Sequence, residues 1–122
     1  MKRCMIVDDS SVIRKVVSRI LAGPDMIVVE APSAGDALAM CAAELPDVVI
    51  VDSRLPDMAC DELIRRIATL DPAFRPHIII CMTEFDVGTI MRARRAGARG
   101  HMLKPFSRAQ LLESFRDMQA AA

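Results

Sequence analysis

The chain has 122 residues, which is the length of one domain with a single hydrophobic core. Its 16 basic residues balance its 16 acidic residues and 52% of the chain is hydrophobic, which excludes a disordered tail or a basic protein that coats nucleic acid. Aromatic residues make up only 3%, too few for surfaces that stack single-stranded bases, so we expect one domain over residues 1–122 that binds no DNA.

Short apolar runs recur along the chain and predict strands that are covered on both faces. They are rich in β-branched and bulky aliphatic side chains, as doubly covered strands are. In chain order they are residues 4–7, 26–31, 48–52, 77–82 and 101–103. Two adjacent aspartates, Asp8 and Asp9, follow the first run, and their repulsion is costly unless a cation, a proton or water offsets it.

A segment with helical periodicity follows each of these runs. The first helix is capped by Ser10 or Ser11 and ends at Gly23-Pro24. Its apolar stripe consists of Val12, Ile13, Val16, Val17 and Ile20. The next three helices are predicted over about 33–44, 61–70 and 86–95. Ser107 caps the last helix, whose apolar face holds Leu111, Leu112, Phe115 and Met118.

The alternation of strands and helices is typical of βαβ units around a parallel sheet, with helices on both faces. Ligands of such sheets bind beyond the carboxyl ends of the strands. Asp8 and Asp9 follow the first predicted strand, Asp52 ends the third, and Lys104 follows the fifth. We therefore expect these four charges to converge at one edge of the sheet.

The cysteines and the apolar stretches indicate a cytoplasmic protein. No stretch has the roughly 20 apolar residues of a membrane-spanning helix, and MKRCMIVDD reaches charged residues too early for a signal peptide. Four widely spaced cysteines without a CxxC pair are typical of buried free thiols rather than zinc ligands or disulfides, and they are Cys4, Cys41, Cys60 and Cys81.

Three carboxylates at one edge form an all-oxygen site that suits a hard cation such as Mg²⁺. Asp52 is then a candidate nucleophile for an aspartyl-phosphate, and the Lys104 ammonium supplies a positive charge beside it. Taken singly, Asp9 is also typical of a helix cap, Asp52 of a strand end and Lys104 of a solvated surface. Their shared position at the carboxyl ends of the strands favours the functional interpretation.

The same residues lie in three stretches that identify a family. The chain reads VDDSSVIRK at its start, PDVVIVDSRLPDM around Asp52 and AGARGHMLKPF around Lys104. Over essentially its whole length it resembles the response-regulator receiver domain, and most closely single-domain chemotaxis regulators of the CheY type. The resemblance implies an α/β fold with a doubly wound (βα)5 sheet of five parallel strands in the flavodoxin-like order 2-1-3-4-5.

The resemblance also implies a role for each charged residue. Asp52 would be the phosphoacceptor. Asp9, Asp52 and the backbone carbonyl of Arg54 would bind Mg²⁺, with Asp8 assisting through water. Lys104 would hold a phosphoryl oxygen.

Further expectations follow from the family. The peptide bond before Pro105 would be cis, and a histidine kinase would donate the phosphoryl group. The receiver would catalyse only its own phosphorylation and hydrolysis, so we do not expect an enzyme with an external substrate. We expect a stand-alone receiver that signals through a changed protein-binding surface, with a flagellar-motor component or a kinase-pathway protein as its downstream target.

Two positions depart from the family pattern. The family places a Thr or Ser hydroxyl 30 residues after the phosphoacceptor and 22 before the lysine, and both counts reach Met82. Thr83 is one residue late, so that it would point to the opposite face unless a bulge redirects it. His101 stands where the family usually has Tyr or Phe, which predicts an atypical switch with weak coupling to Asp52.

An arginine-rich stretch on and after the fourth helix permits a second function. It contains Arg92, Arg94, Arg95 and Arg99. These residues are typical of a solvated helix face with cations near its C-terminus. Guanidinium groups also bind phosphates and stack on planar rings, so a pseudo-receiver or adaptor that binds cyclic di-GMP is an alternative. A third is an interaction module in which phosphorylation is vestigial.

Overall fold

The computed structural model describes the backbone of residues 1–121 and the side chains of residues 1–116. Strands and helices alternate as β1 (Lys2–Val7), α1 (Ser11–Leu21), β2 (Met26–Ala31), α2 (Ala34–Ala43), β3 (Val48–Asp52), α3 (Cys60–Ala68), β4 (His77–Met82), α4 (Val87–Ala96), β5 (Gly100–Leu103) and α5 (Arg108–Ala121). The five strands form one parallel sheet in the order β2-β1-β3-β4-β5. The predicted fold and strand order are confirmed.

Strand bounds agree with the sequence prediction except at two ends. β2, β3 and β4 match it residue for residue. β1 starts at Lys2 rather than at residue 4, because the Lys2 amide donates to the Asp25 carbonyl and the register with β2 continues to the pair Lys2↔Met26. β5 starts one residue early, where Gly100 pairs with Ile79.

Helix termini follow the capping residues that the sequence contains. The Ser10 side chain accepts a hydrogen bond from the Ile13 amide, so Ser10 rather than Ser11 caps α1. Asp86 caps α4 in the same way, and Gly97 ends that helix at φ 130°, a conformation that favours glycine. α3 ends at Ala68, earlier than predicted, because the next residues form tighter i→i+3 hydrogen bonds.

Along each strand, the side chains pack alternately into two separate hydrophobic cores, one on each face of the sheet. The core under α2, α3 and α4 receives from the strands Met5, Val7, Val49, Val51, Ile78, Ile80 and Met82. The core under α1 and α5 receives Cys4, Ile6, Val48, Ile50, Ile79, Cys81 and Met102. Coverage on both faces explains why the strands are almost continuously apolar.

The apolar stripe predicted for α1 is partly wrong. Val17 is fully buried and Ile13 packs against the core, but Val12 is 68% exposed and Val16 is 38% exposed. Val12 and Val16 are four residues apart and therefore share one flank of the helix, which faces solvent. In α5, Leu111 and Phe115 are buried as predicted, whereas the side chain of Met118 lies outside the described residues.

The four cysteines are free and buried, as the sequence predicts. Burial raises the pKa of Cys4, Cys60 and Cys81 to about 12 and that of Cys41 to about 11. At neutral pH these thiols are therefore protonated and poorly nucleophilic. Across the described part of the chain, no helix combines the length and the hydropathy needed to cross a membrane.

Candidate functional site

Three carboxylates meet at the carboxyl ends of neighbouring strands. Asp8 directly follows β1 and Asp52 ends β3, and the register pair Val7↔Val51 sets the two aspartates side by side. Together with Asp9 they offer three carboxylate oxygens that all lie within 4.8 Å of one another. Asp8 and Asp52 are buried, whereas Asp9 is exposed. The three aspartates that were expected to converge at one edge of the sheet therefore lie together in the structure.

Lys104 joins this cluster from β5. Its Nζ lies 3.0 Å from Asp8 Oδ2 and 3.3 Å from Asp52 Oδ1, and its side chain is only 11% exposed. The Lys104 amide donates to the Met82 carbonyl at 2.7 Å, and the bond to Pro105 is cis, as the resemblance implies. The ammonium is thus held between two carboxylates at the point where β5 ends.

The ionisation of these groups reflects burial and mutual charge. Burial, and then the charge of Asp8, raise the pKa of Asp52 against the opposing effects of the Arg54 amide and Lys104. Burial alone would lower the pKa of Lys104, but its hydrogen bond to Asp8 and the charge of Asp52 outweigh that effect and raise the pKa. The site therefore retains a protonated lysine.

The donor chemistry of the site fits a divalent cation. Three carboxylates and one ammonium carry a net negative charge, and carboxylate oxygens are the ligands that Mg²⁺ prefers. Arg54 forms a bridge with Ala59, and its amide donates to Asp52 Oδ1 at 3.3 Å, so this loop folds back beside the acids. The acidic residues can therefore hold a metal ion.

Both residue counts reach Met82, and Thr83 is the residue that follows it. Met82 is 2% exposed and lies in the core under α3 and α4. Asp52 pairs in register with Cys81, and β4 ends at Met82, so Thr83 lies just beyond the strand. Thr83 is exposed, and Met82 and Thr83 both line a cavity together with Ser53 and Arg54.

The neighbouring strand β5 ends at the same point as β4. Met82 pairs with Leu103, and the Lys104 amide donates to the Met82 carbonyl. β4 is regularly paired with β3 and β5, and the register shows no bulge between His77 and Met82.

His101 is exposed on β5 rather than folded into the site. Its ring centroid lies 6.0 Å from that of Phe85 at an interplanar angle of 64°, an edge-to-face contact. Phe85 follows β4 and is itself 61% exposed. The sequence identified the position of His101 but not its contact with the loop between β4 and α4.

The arginine-rich stretch is divided between the two ends of α4. Arg92 donates to Thr89 Oγ1 near the start of the helix, beside the cavity that contains Ser53 and Cys60. Arg99 Nη1 instead lies 3.4 Å from Nδ1 of His77, which is the first residue of β4. Arg94 and Arg95 are exposed in the last turn of α4.

Arg14, which contacts Asp8, and Asp57, in the loop after Asp52, were not singled out from the sequence. Arg14 donates from Nη1 to the Asp8 carbonyl at 2.7 Å and from Nε to Glu30 Oε1 at 3.1 Å. Asp57 accepts hydrogen bonds from two amides in the first turn of α2. The sequence could have indicated Arg14, because it precedes the apolar Val17 by three residues and therefore lies toward the buried side of α1.

Comparisons with known proteins show what the whole chain is similar to. The family model described as "Response regulator receiver domain" matches residues 4–116. The DNA-binding transcriptional activator DevR/DosR of Mycobacterium tuberculosis is 34% identical over 122 residues, which are 98% of this chain and 55% of that protein. The chemotaxis protein CheY of Listeria monocytogenes is 29% identical over 115 residues, covering 93% of this chain and 95% of that protein.

A solved structure shares the architecture. The response regulator receiver domain protein (CheY-like) from Methanospirillum hungatei superposes with a TM-score of 0.88 at 29% identity. The match covers 97% of this chain and 93% of the other. The chain thus spans about half of the DNA-binding relative but nearly the full length of the CheY-like proteins.

Proposed function

The chain belongs to the response-regulator receiver family, and from that membership we propose that it accepts a phosphoryl group on Asp52 and signals through a changed protein-binding surface. Receiver domains work with histidine kinases and downstream targets. Under this proposal the chain is a single receiver domain over residues 1–122 that catalyses only its own phosphorylation and dephosphorylation. The CheY relatives favour a downstream target in chemotaxis, such as a flagellar-motor or kinase-pathway component.

The observation that carries the proposal is the meeting of three carboxylates and Lys104 at one edge of the sheet. Within this cluster the hydrogen bonds distinguish Asp52 from Asp8. Asp8 uses both carboxylate oxygens, accepting from the Ser10 amide and from Lys104. The contacts described for Asp52 all involve Oδ1, which leaves Oδ2 as the atom that attacks phosphorus.

The roles of the other groups follow from their positions. Mg²⁺ held by Asp8, Asp9, Asp52 and the Arg54 carbonyl would neutralise the charge that develops on the transferred phosphoryl group. The Lys104 ammonium, already beside Asp52, can donate to a phosphoryl oxygen. As the Oδ2–phosphorus bond forms, the bond from phosphorus to the kinase histidine breaks, and the imidazole leaves.

The switch is proposed to use Thr83 and His101. Thr83 follows Met82, whose carbonyl accepts from the Lys104 amide, and under the proposal its hydroxyl donates to a phosphoryl oxygen, which a thioether cannot do. His101 replaces the usual aromatic residue and already contacts the exposed Phe85. Movement of Thr83 is therefore expected to reach His101 weakly, through the loop that follows β4.

The proposal is tested by intact-protein mass after incubation with a small phosphodonor, with and without Mg²⁺. We expect a Mg²⁺-dependent gain of one phosphoryl group that is absent from Asp52→Asn and retained in Asp25→Asn, an exposed aspartate before β2. Thr83→Ala should change the rate of gain or loss of the group, whereas Met82→Leu should change it little because Met82 is a core residue. A parent protein that gains no mass and binds no Mg²⁺ contradicts the proposal.

The cyclic di-GMP alternative has weaker support. Arg92 donates to Thr89 Oγ1 and Arg99 Nη1 lies 3.4 Å from His77 Nδ1, so two of the four arginines already have partners within the chain. The interaction-module alternative leaves the pairing of Lys104 with Asp8 and Asp52 without a purpose. Phosphoryl transfer therefore remains the better proposal.

A further inference from the structure

Arg14 connects the acidic cluster to the edge strand β2. Its Nη1 donates to the backbone carbonyl of Asp8 at 2.7 Å, and its Nε donates to Glu30 Oε1 at 3.1 Å. The Arg14 side chain is 15% exposed and that of Glu30 is 23% exposed. A partly buried guanidinium thus spans from β2 to the peptide group between the two adjacent aspartates.

That peptide group sets the direction in which Asp9 leaves the strand. A peptide unit is planar, so a bond that fixes the Asp8 carbonyl also fixes the Asp9 amide on the opposite side of the same plane. The Asp8 amide is fixed as well, because it donates to the Ala31 carbonyl of β2 at 3.1 Å. The backbone of Asp8 is therefore held on both sides by groups that β2 positions.

Glu30 holds the guanidinium in place. It accepts hydrogen bonds from Arg14, from Lys15 at 3.0 Å and from Ser18 at 3.4 Å, so its carboxylate is anchored to the middle of α1. The register pair Ile6↔Glu30 places it one residue before Ala31, the residue that binds Asp8. Only an arginine fork can bind Glu30 and the Asp8 carbonyl simultaneously through separate nitrogens.

We propose that Arg14 is a positioning residue, which sets the geometry of Asp8 and Asp9 for a divalent cation and is itself held by Glu30. The inference rests on the proposed function, since it concerns the same metal site. The direction in which Mg²⁺ affinity changes when Arg14 is removed distinguishes positioning from simple electrostatics. Removing a positive charge near three carboxylates should tighten cation binding by Coulomb attraction, whereas losing the positioning contact should weaken it.

The test is calorimetric titration of the full chain with Mg²⁺ alone. We expect Arg14→Met to weaken Mg²⁺ binding about tenfold, the lower end of the range for groups that orient metal ligands. Arg14→Lys keeps the charge but loses the fork, and should also bind more weakly than the parent. The matched control is Lys15→Met, which removes a neighbouring cation from the same Glu30 without touching Asp8, and should change affinity less than twofold.

A second measurement follows the loop without metal. Hydrogen exchange of the Ser10 amide, which donates to Asp8 Oδ1, should become faster in Arg14→Met and stay unchanged in Lys15→Met. Equal or tighter Mg²⁺ binding by Arg14→Met overturns the inference and leaves the proposed function intact. If the parent itself binds no Mg²⁺, the proposed metal site and the inference both fail.

Discussion

At the scale of single residues, folding and the proposed chemistry make opposite demands on Asp52. The carboxylate is buried beside Asp8, and these surroundings raise its pKa. In the range between the unfolded and the raised folded pKa, the folded protein binds more protons than the unfolded chain. The free energy of unfolding therefore falls as the pH rises through that range, and the loss is complete above the folded pKa.

We predict that Asp52→Asn stabilises the metal-free protein at pH 7, by about 1 kcal/mol, the common size of a single-residue effect. The amide carries no charge to bury, and Lys104 keeps its partner Asp8. Urea unfolding at pH 7 and near pH 4 measures the difference, which should shrink at the lower pH. Asp25→Asn serves as the exposed control. A less stable Asp52→Asn variant at pH 7 would show that the contact with Lys104 outweighs burial.

The candidate acids could be predicted from the sequence because each stands at the end of an apolar run, a position that pattern alone reveals. The contact of His101 with Phe85 could not, since the two rings lie on segments that only the fold brings together. Arg14 escaped prediction for a related reason. Its partners, the Asp8 carbonyl and Glu30, are brought to it by tertiary structure.

At the scale of elements, the sequence predicted the helix caps made by nearby residues but not those made by residues distant in the chain. The Ser33 side chain caps α2 by accepting a hydrogen bond from the Asp36 amide, three residues along the chain, and such local caps can be predicted from the sequence. Asp57 satisfies two further amides of the same helix, Ala34 and Gly35, from 22 to 23 residues away. These bonds lower the pKa of Asp57 and tie the loop after Asp52 to α2.

The end of α4 provides a quantitative prediction. Gly97 has φ 130°, and an added Cβ would lie 3.1 Å from the Ala68 Cβ, so Gly97→Ala combines backbone strain with a tight contact against α3. We expect a loss of about 1–3 kcal/mol in the free energy of unfolding. Gly23→Ala is the matched control, because its Cβ meets no atom within 4 Å and no change larger than about 1 kcal/mol is expected. Chemical denaturation of both variants compares them, and equal losses would refute this account.

At the scale of the whole molecule, the parallel sheet explains both what could be predicted and what could not. Alternating strands and helices predicted the layered α/β architecture, but the strand order came from the family resemblance, because periodicity does not specify which strands are neighbours. The arginine-rich stretch shows the converse. Residues close in sequence, Arg92 and Arg99, engage partners near opposite ends of one helix.

The acidic cluster also links parts of the chain that are distant in sequence, because Asp9 follows β1, Asp52 ends β3 and Lys104 follows β5. A cation that binds these acids only in the folded state must stabilise the whole fold by mass action. We predict that Mg²⁺ at ten times its dissociation constant raises the free energy of unfolding of the parent by about 1.4 kcal/mol. Urea midpoints with Mg²⁺ and with a chelator measure the gain.

Asp9→Asn gives this prediction its sharpest form. Asp9 is exposed, unlike its two buried partners, so its carboxylate contributes to the metal site more than to the core. Without metal the variant should be at least as stable as the parent, since one charge beside Asp8 is removed, and it should lose most of the gain at the same Mg²⁺ concentration. If Mg²⁺ stabilises Asp9→Asn as much as it stabilises the parent, Mg²⁺ binds elsewhere on the surface. If Asp9→Asn is less stable than the parent without metal, Asp9 stabilises the fold itself.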